Sequence, residues 1–369
     1  MPNREIKFTR GVPPTESFPI RQLSETACKI LEQYGAQVLQ YGEGGGFRPL
    51  REYLAAQAGV DVGRVIIGQG SLLLQDFVAR SLLTPDRLAY VENPTYDRTI
   101  LTMRRPGARV VGIPIRSDGL DVEFLEDQLR KGERPALLYT IPDFQNPTGT
   151  VLSLEKRKSI LDLAEKYGFW IIEDVPYRRL RYSGQEVPSL FDLAPERVLM
   201  MSSYSKLIGP GLRVGYIISP PALAPDLLRF VEEAYICPTY LVQGMVFDFI
   251  QRGWLESNLT HLKEIYPPRL QAMLASLDEH FTGLATWYRP EGGFFVGVNL
   301  LGEIRQVDLL REAQAANLAL TDGRDFFTDE SGEGFVRLPF CALTPDEIQE
   351  GVARLASVVR DLTSERVKT

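Results

Sequence analysis

Histidine is nearly absent: the 369 residues contain only His261 and His280, both inside a charged, helix-periodic stretch. That scarcity removes Ser-His-Asp triads, HExxH zinc sites and dehydrogenases that use a histidine base. The three cysteines, Cys28, Cys237 and Cys341, lie far apart without CxxC spacing. An odd count so spaced argues against a disulfide framework or a zinc knuckle, so no metal site is expected, and buried core positions are expected for all three. No stretch approaches the apolar length that spans a bilayer. The formal charge of -7 is mild and the basic residues are scattered, so the clustered positive face that nucleic-acid binding requires is missing. Met1 is followed by polar Asn3-Arg4-Glu5 rather than an apolar h-region, which predicts no secretory signal and a cytoplasmic location. No GxxxxGK occurs, and Gly68-Gln69-Gly70 lacks the third glycine of GxGxxG. The chemistry must therefore use lysine, carboxylates, tyrosine or a cofactor.

What is present is ordinary globular material, 44% apolar and 24% charged, and long enough for two or three folding units. Short β-branched runs alternate with helical stretches from about 64 to 218. The strand candidates are Val65 to Ile67, Leu88 to Glu92, Arg109 to Ile113, Ala136 to Ile141, Phe169 to Asp174, Val198 to Ser202 and Val214 to Ile218. Most are continuous apolar runs, as in strands buried on both faces. They predict an α/β fold with a mainly parallel seven-stranded sheet flanked by helices. A helical tract from Ala222 to about Asp278 is expected to break near Gly253 and Pro267-Pro268. Strands near Thr286, Phe294 to Leu300 and Phe335 to Phe340 then alternate with helices, which predicts a smaller α+β domain. The expected division is an N-terminal segment, 1–35, packing with the small domain; a large domain, 36–255; and the small domain, 256–369.

Several strand ends carry groups with chemical potential. Ser203-Tyr204-Ser205-Lys206 and Gly209-Pro210-Gly211-Leu212-Arg213 follow a strand at the edge where open α/β sheets bind ligands. Two hydroxyls, an amine, an arginine and flexible backbone could hold a phosphate beside an amine-reactive aldehyde. Lys206 taken alone is better read as a surface lysine; the combined spacing carries the signal. Asp174 ends a buried strand, which is costly without a cation or hydrogen bonds. A protonated pyridine nitrogen would satisfy it, with Tyr177 donating to the ring's phenolic oxygen; an Asp-Pro turn is the plainer alternative. Tyr139 to Gly149 contains Asn146-Pro147-Thr148-Gly149, a turn whose asparagine could reach the same oxygen. Gly70-Ser71-Leu72 opens an apolar helix and is either an anion site or a serine N-cap. Tyr96 could stack on a planar ring or simply pack. Arg337 is one cation in an apolar strand, suited to a carboxylate or to a structural salt bridge.

Taken in order, Tyr41 with Gly46, Pro49-Leu50-Arg51-Glu52, Asn146 to Gly149, Glu173-Asp174, Ser203 to Lys206, Pro210 to Arg213 and Pro290-Glu291-Gly292-Gly293 resemble the class I/II aminotransferases of pyridoxal-phosphate fold type I. The similarity is to the branch of α-aminoadipate aminotransferases and MocR-type aminotransferase domains, and it runs from about Phe8 to the C-terminal helix. The resemblance implies pyridoxal 5'-phosphate held by Lys206 as a Schiff base, with Lys206 also the proton shuttle. It implies Asp174 at the pyridine nitrogen, Asn146 and Tyr177 at the phenolic oxygen, and Tyr96 on the ring. Gly70, Ser71, Leu72, Ser203, Ser205 and Arg213 are implied as the phosphate cup, Leu72 through its N–H alone. Arg337 is implied at the substrate α-carboxylate, with Asn146 and Gly11 beside it, and Tyr41 at the neighbouring subunit's phosphate, hence a homodimer with shared active sites. The activity implied is ping-pong transamination between an α-amino acid and a 2-oxo acid.

Two departures stand out. The chain begins close to Phe8-Thr9-Arg10-Gly11-Val12-Pro13, without the upstream helix that helps select side chains in aminoadipate enzymes and without room for the MocR helix-turn-helix domain. Arg10 also stands where a glycine is usual. It is expected near the substrate mouth, favouring an acidic side chain, with a solvent-facing arginine as the alternative. The rival functions on this scaffold are a C–S β-lyase, a decarboxylase, or a non-catalytic sensor that keeps the cofactor.

Overall fold

The computed structural model describes residues 4–366. Met1 to Asn3, on which the expected absence of a signal partly rests, lie outside the described residues, as do 367–369. The strands are β1 (Ile6–Phe8), β2 (Val65–Gln69), β3 (Leu88–Asn93), β4 (Arg109–Arg116), β5 (Gly119–Leu120), β6 (Pro135–Thr140), β7 (Trp170–Asp174), β8 (Val198–Ser203), β9 (Val214–Ile218), β10 (Ala285–Trp287), β11 (Phe295–Leu300), β12 (Leu318–Leu320) and β13 (Phe335–Pro339). The helices are α1 (Ile20–Leu39), α2 (Arg48–Ala58), α3 (Ser71–Leu82), α4 (Asp97–Arg104), α5 (Val122–Arg130), α6 (Leu154–Tyr167), α7 (Leu190–Leu193), α8 (Ala224–Tyr235), α9 (Tyr240–Gln251), α10 (Trp254–His280), α11 (Gln306–Ala315) and α12 (Pro345–Arg366).

The α/β sheet runs β2-β9-β8-β7-β6-β3-β4-β5. It has eight strands rather than the expected seven, because β5 pairs antiparallel with the end of β4 and is too short to show as an apolar run. Neighbours from β4 through β3, β6 and β7 to β8 are parallel. Since β9 is antiparallel to both β8 and β2, β2 points the same way as β8. The carboxyl ends of β2, β3, β6, β7 and β8 therefore share one edge of the sheet. Their side chains are buried almost throughout, as their continuous Val, Ile and Leu runs require of strands covered on both faces.

A smaller antiparallel sheet runs β10-β11-β13, α10 packs along α12, and β1 pairs parallel with β12. The N-terminal segment thus reaches the C-terminal elements through β1, whereas α1 lies along α9. The helical tract breaks at Ile236 to Thr239 and at Gly253, but not at Pro267-Pro268, which lie inside α10. Pro268 is exposed and Pro267 half-buried, and the carbonyls they leave free belong to the exposed Lys263 and Glu264, which water can serve, while the buried stripe Leu259, Leu262, Tyr266, Leu270, Met273 and Leu277 continues past them. The cysteine expectation holds for Cys341 alone: Cys28 is on the solvent face of α1 and Cys237 is half-buried. Among the described residues no helix is long and apolar enough to cross a membrane, and no cluster of His, Cys, Asp or Glu could hold a metal.

Candidate active site

The shared strand edge opens into a cavity of roughly 520 Å³, lined by Ser71, Leu72, Tyr96, Asn146, Asp174, Tyr177, Ser203, Ser205, Lys206, Arg213 and Arg337, with Arg10 and Gly11 on its N-terminal side. Most of these come from segments far apart in sequence that meet because five strands end together, while Arg337 reaches the cavity from β13 and Arg10 and Gly11 from the strap after β1. Gly70 borders the cavity without lining it. Tyr41 is elsewhere on the protomer, 76% exposed.

At one end, α3 begins on Gly70, at φ +89 and without a side-chain cap. Ser71 is the first helical residue rather than the N-cap, so its N–H and that of Leu72 keep the anion-binding capacity of a free helix start. Arg213, itself at φ +53, donates from Nη2 to Gln69 O at 3.3 Å. A Cβ on Gly70 would lie 2.2 Å from that Nη2, so only glycine lets the arginine close on the helix start. Free N–H groups, two serine hydroxyls and a guanidinium suit a phosphate.

At the cavity floor, Asp174 Oδ2 accepts from Tyr139 Oη at 2.7 Å, while Oδ1 is buried with no partner. Burial pushes the Asp174 carboxyl up to about 7; the Tyr139 bond opposes this and the nearby Glu92 adds to it. An unpartnered buried carboxylate oxygen is the feature a cationic ring nitrogen would satisfy. Its neighbour Glu173 points to the opposite face and accepts from the N–H groups of Leu190 and Phe191 at the start of α7, a structural role.

Lys206 lies on the loop joining β8 to β9. Its Nζ donates to Gly11 O at 2.7 Å and sits 5.7 Å from the Phe294 ring. Burial, with Arg337 and Arg213 nearby, lowers its pKa, which favours a neutral amine. Arg337 donates to Asn146 Oδ1 at 3.1 Å and to Thr9 O at 2.7 Å, and its guanidinium lies between the rings of Phe295 and Phe326 at 4.7 and 4.5 Å. Its Nε is buried without a partner. Among the described residues no carboxylate pairs with it, so its charge is free for an anionic substrate group, unlike that of a structural salt bridge. Tyr177 packs edge-on against Phe295, 5.9 Å between centroids, and burial holds its hydroxyl well above the usual phenol range, hence protonated and able to donate. Arg10 is exposed and, among the described residues, makes no hydrogen bond or ion pair.

Sequence reasoning missed several wall residues: Thr9, Asp97, Arg98, Thr321 and Asp325. Asp97 and Arg98 directly follow Tyr96 and could have been found by extending that motif. Thr321 follows β12 and Asp325 lies in the short 3-10 helix Gly323–Phe326, whose Asp322 cap marks a turn but not a cavity wall. Gln145 was also passed over within its motif: Oε1 accepts from Thr148 N and Nε2 donates to Glu92 and to Pro94 O, so it ties the Asn146 turn to the end of β3.

A family model described as aminotransferase class I and II matches residues 4–355. The chain is 34% identical to the 2-aminoadipate transaminase of Thermus thermophilus, over 97% of this chain and 90% of that protein. It is 32% identical to the aromatic-amino-acid aminotransferase 1 of Thermococcus litoralis, over 96% and 88%. Its structure superposes on the Thermus thermophilus α-aminoadipate aminotransferase complexed with N-(5'-phosphopyridoxyl)-L-leucine with a TM-score of 0.92 at 34% identity, covering 98% of this chain and 93% of that one.

Proposed function

Because this chain belongs to the class I and II aminotransferases, we propose that the cavity is its transamination site, with Lys206 carrying pyridoxal phosphate and moving the substrate proton. The enzyme is a pyridoxal-phosphate-dependent transaminase, exchanging an amino group between an α-amino acid and a 2-oxo acid by a ping-pong mechanism. The observation that carries the site reading is the juxtaposition, in one cavity, of a buried carboxylate oxygen without a partner, a half-buried lysine and an uncapped helix start.

When bound, pyridoxal phosphate supplies an electron sink for the charge left when a bond at the amino carbon breaks. Ser71, Leu72, Ser203, Ser205 and Arg213, with Gly70 admitting that arginine, bind the phosphate. Asp174, through its unpartnered Oδ1, would hold the ring nitrogen and its proton. Tyr177 and the Asn146 amide would donate to the phenolic oxygen, and Tyr96 would cover the ring. Arg337 and Asn146 hold the substrate carboxylate, so that the substrate's α-hydrogen faces the lysine. Lys206 Nζ, favoured as a neutral amine by burial, takes the α-proton and later returns it, a general base that needs no histidine. Arg10, unpaired at the mouth, favours a substrate with an acidic side chain.

The same proposal extends to assembly, domains and place. Tyr41 is exposed on its own protomer, as a residue completing a partner's phosphate site would be, which supports a homodimer with shared sites. The β1–β12 pairing supports grouping the chain's first residues with 256–369 around a larger unit, 36–255. Free thiols, one of them exposed, suit a cytoplasmic location. The decisive test is borohydride reduction of the holoenzyme followed by peptide mapping. The label is expected on Lys206, and a label on any other residue overturns the assignment.

A further inference from the structure

Tyr139 lies on β6 beneath the cavity, fully buried. In the β6–β7 register it pairs with Ile172. Asp174 is two residues further along β7 and so on the same face, a diagonal neighbour within reach of a tyrosine. The phenol donates to Asp174 Oδ2 at 2.7 Å, the only partner that the carboxylate has among the described residues. Nearby, Thr99 on α4 donates from its hydroxyl to Gln75 Oε1 on α3 at 3.5 Å, and Gln75 Nε2 donates to Thr102 Oγ1 at 3.1 Å. All of these side chains are buried. Gln75 is one turn beyond Ser71 and Thr99 is just beyond Tyr96. Thr99 and Gln75 thus tie together the helices that start at the ring-covering tyrosine and at the phosphate end, while the Tyr139–Asp174 bond stands by itself.

A buried carboxylate with one oxygen bound and one bare has a defined orientation. We propose that Tyr139 is the positioning residue of this site: by occupying Oδ2 it turns Oδ1 toward the cofactor's ring nitrogen and favours the ionised carboxylate that keeps that nitrogen protonated. The inference rests on Asp174 being the partner of the ring nitrogen. Losing the phenol removes a hydrogen bond to the charged form and leaves burial unopposed, so the carboxyl pKa rises and the negative charge facing the ring weakens. The carbanion that the ring must accept is then less stabilised, which lowers turnover, whereas the arginine that holds the substrate carboxylate is untouched.

The test uses holoenzyme loaded with cofactor labelled with nitrogen-15 in the ring. The ring-nitrogen chemical shift is compared in wild type, Tyr139→Phe and Asp174→Asn, alongside kcat and KM for the amino donor. Tyr139→Phe is expected to move the shift part of the way toward the Asp174→Asn value, to lower kcat by about tenfold to a hundredfold, the worth of one hydrogen bond to a charged group, and to leave KM within about twofold. A wild-type shift in Tyr139→Phe, with a moved shift in Asp174→Asn, overturns the role of Tyr139 and leaves the site standing. An unmoved shift in Asp174→Asn overturns the underlying reading and this inference with it. If Tyr139→Phe does not accumulate as folded protein, protein carrying 3-fluorotyrosine at position 139, a stronger donor, decides: a displacement away from the Asp174→Asn value supports the inference, and none overturns it.

Discussion

The carbonyl oxygen of Gly11 accepts a 2.7 Å hydrogen bond from Lys206 Nζ, so the strap that follows β1 holds a lysine on the loop after β8. The Thr9 carbonyl, two residues earlier, receives Arg337 in the same way. One short segment thus orients both the amine and the guanidinium, and it does so through backbone oxygens that no side-chain motif could reveal.

Gly11 is required by contact rather than by dihedral freedom, because an added Cβ would lie 2.2 Å from the Phe295 ring. That ring is buried and supports both Arg337 and Tyr177. Gly11→Ala must displace either the ring or the strap. The expected result is a loss of about 1–3 kcal/mol, the usual cost of overpacking, read as a lower urea midpoint, together with a raised KM for the amino acid as Arg337 loses its support. An unchanged KM would show that the ring yields without moving the guanidinium.

The raised pKa of Asp174, about 7, makes a signed prediction for pH. Between the ordinary carboxylate value and 7 the folded apoprotein keeps a proton that the unfolded chain has released. The stability this contributes is full below the unfolded pKa and is lost as pH rises through 7. Glu173, also raised to about 7 by burial, acts in the same direction. Apoprotein stability is therefore expected to fall from pH 4 to 8, with a shallower slope in Asp174→Asn. Cofactor binding reverses the preference, since a cationic ring favours the ionised carboxylate. Cofactor affinity should weaken as pH drops below 7, and less so in the variant. Denaturation and cofactor titrations across that range check both signs.

How much of this was open to reading depends on where the information sits along the chain. β9, Val214–Ile218, was legible to the residue because its run is apolar and bounded by polar loops. Asp174 was legible because an acid ending such a run has to be explained. Its partner Tyr139 was not: it lies 35 residues upstream, and only the register of two parallel strands brings the groups together. Asp143 is a sharper case. Within the Tyr139 to Gly149 segment it looks like a turn residue, yet it is buried against Arg157 at 3.0 Å and Arg178 at 2.9 Å. It thereby locks the Asn146 turn to the segment that carries Tyr177, and nothing local announces a buried ion-pair cluster. Pro267-Pro268 misled for the opposite reason, since a strong local breaker was overridden by a helix long enough and packed well enough to absorb it.

Arg10 makes the specificity reading testable by a ratio rather than by a loss. Its guanidinium is exposed at the cavity mouth, so its pull on a substrate carboxylate is screened and modest. Arg10→Ala is expected to lower the ratio of glutamate to leucine kcat/KM by roughly twofold to fivefold, the scale of an exposed ion pair, and to leave leucine turnover alone. A ratio equal to that of wild type would refute the assignment.

Tyr41 tests whether the site is shared between subunits. If each cavity combines its own Lys206 with the partner's Tyr41, then Lys206→Ala and Tyr41→Ala homodimers are each impaired at both sites. A hybrid dimer has one cavity with both native residues and one with neither. Unfolding and refolding an equal mixture gives hybrids in about half the dimers, so activity near a quarter of the wild-type level is expected in a two-fold assembly. Recovery requires that the residues complement across an interface, because a cavity built within one chain would keep its defect in every mixture. Refolded mixtures no more active than the mean of the two parents would therefore place Tyr41 outside the partner's site, even if the protein sediments as a dimer.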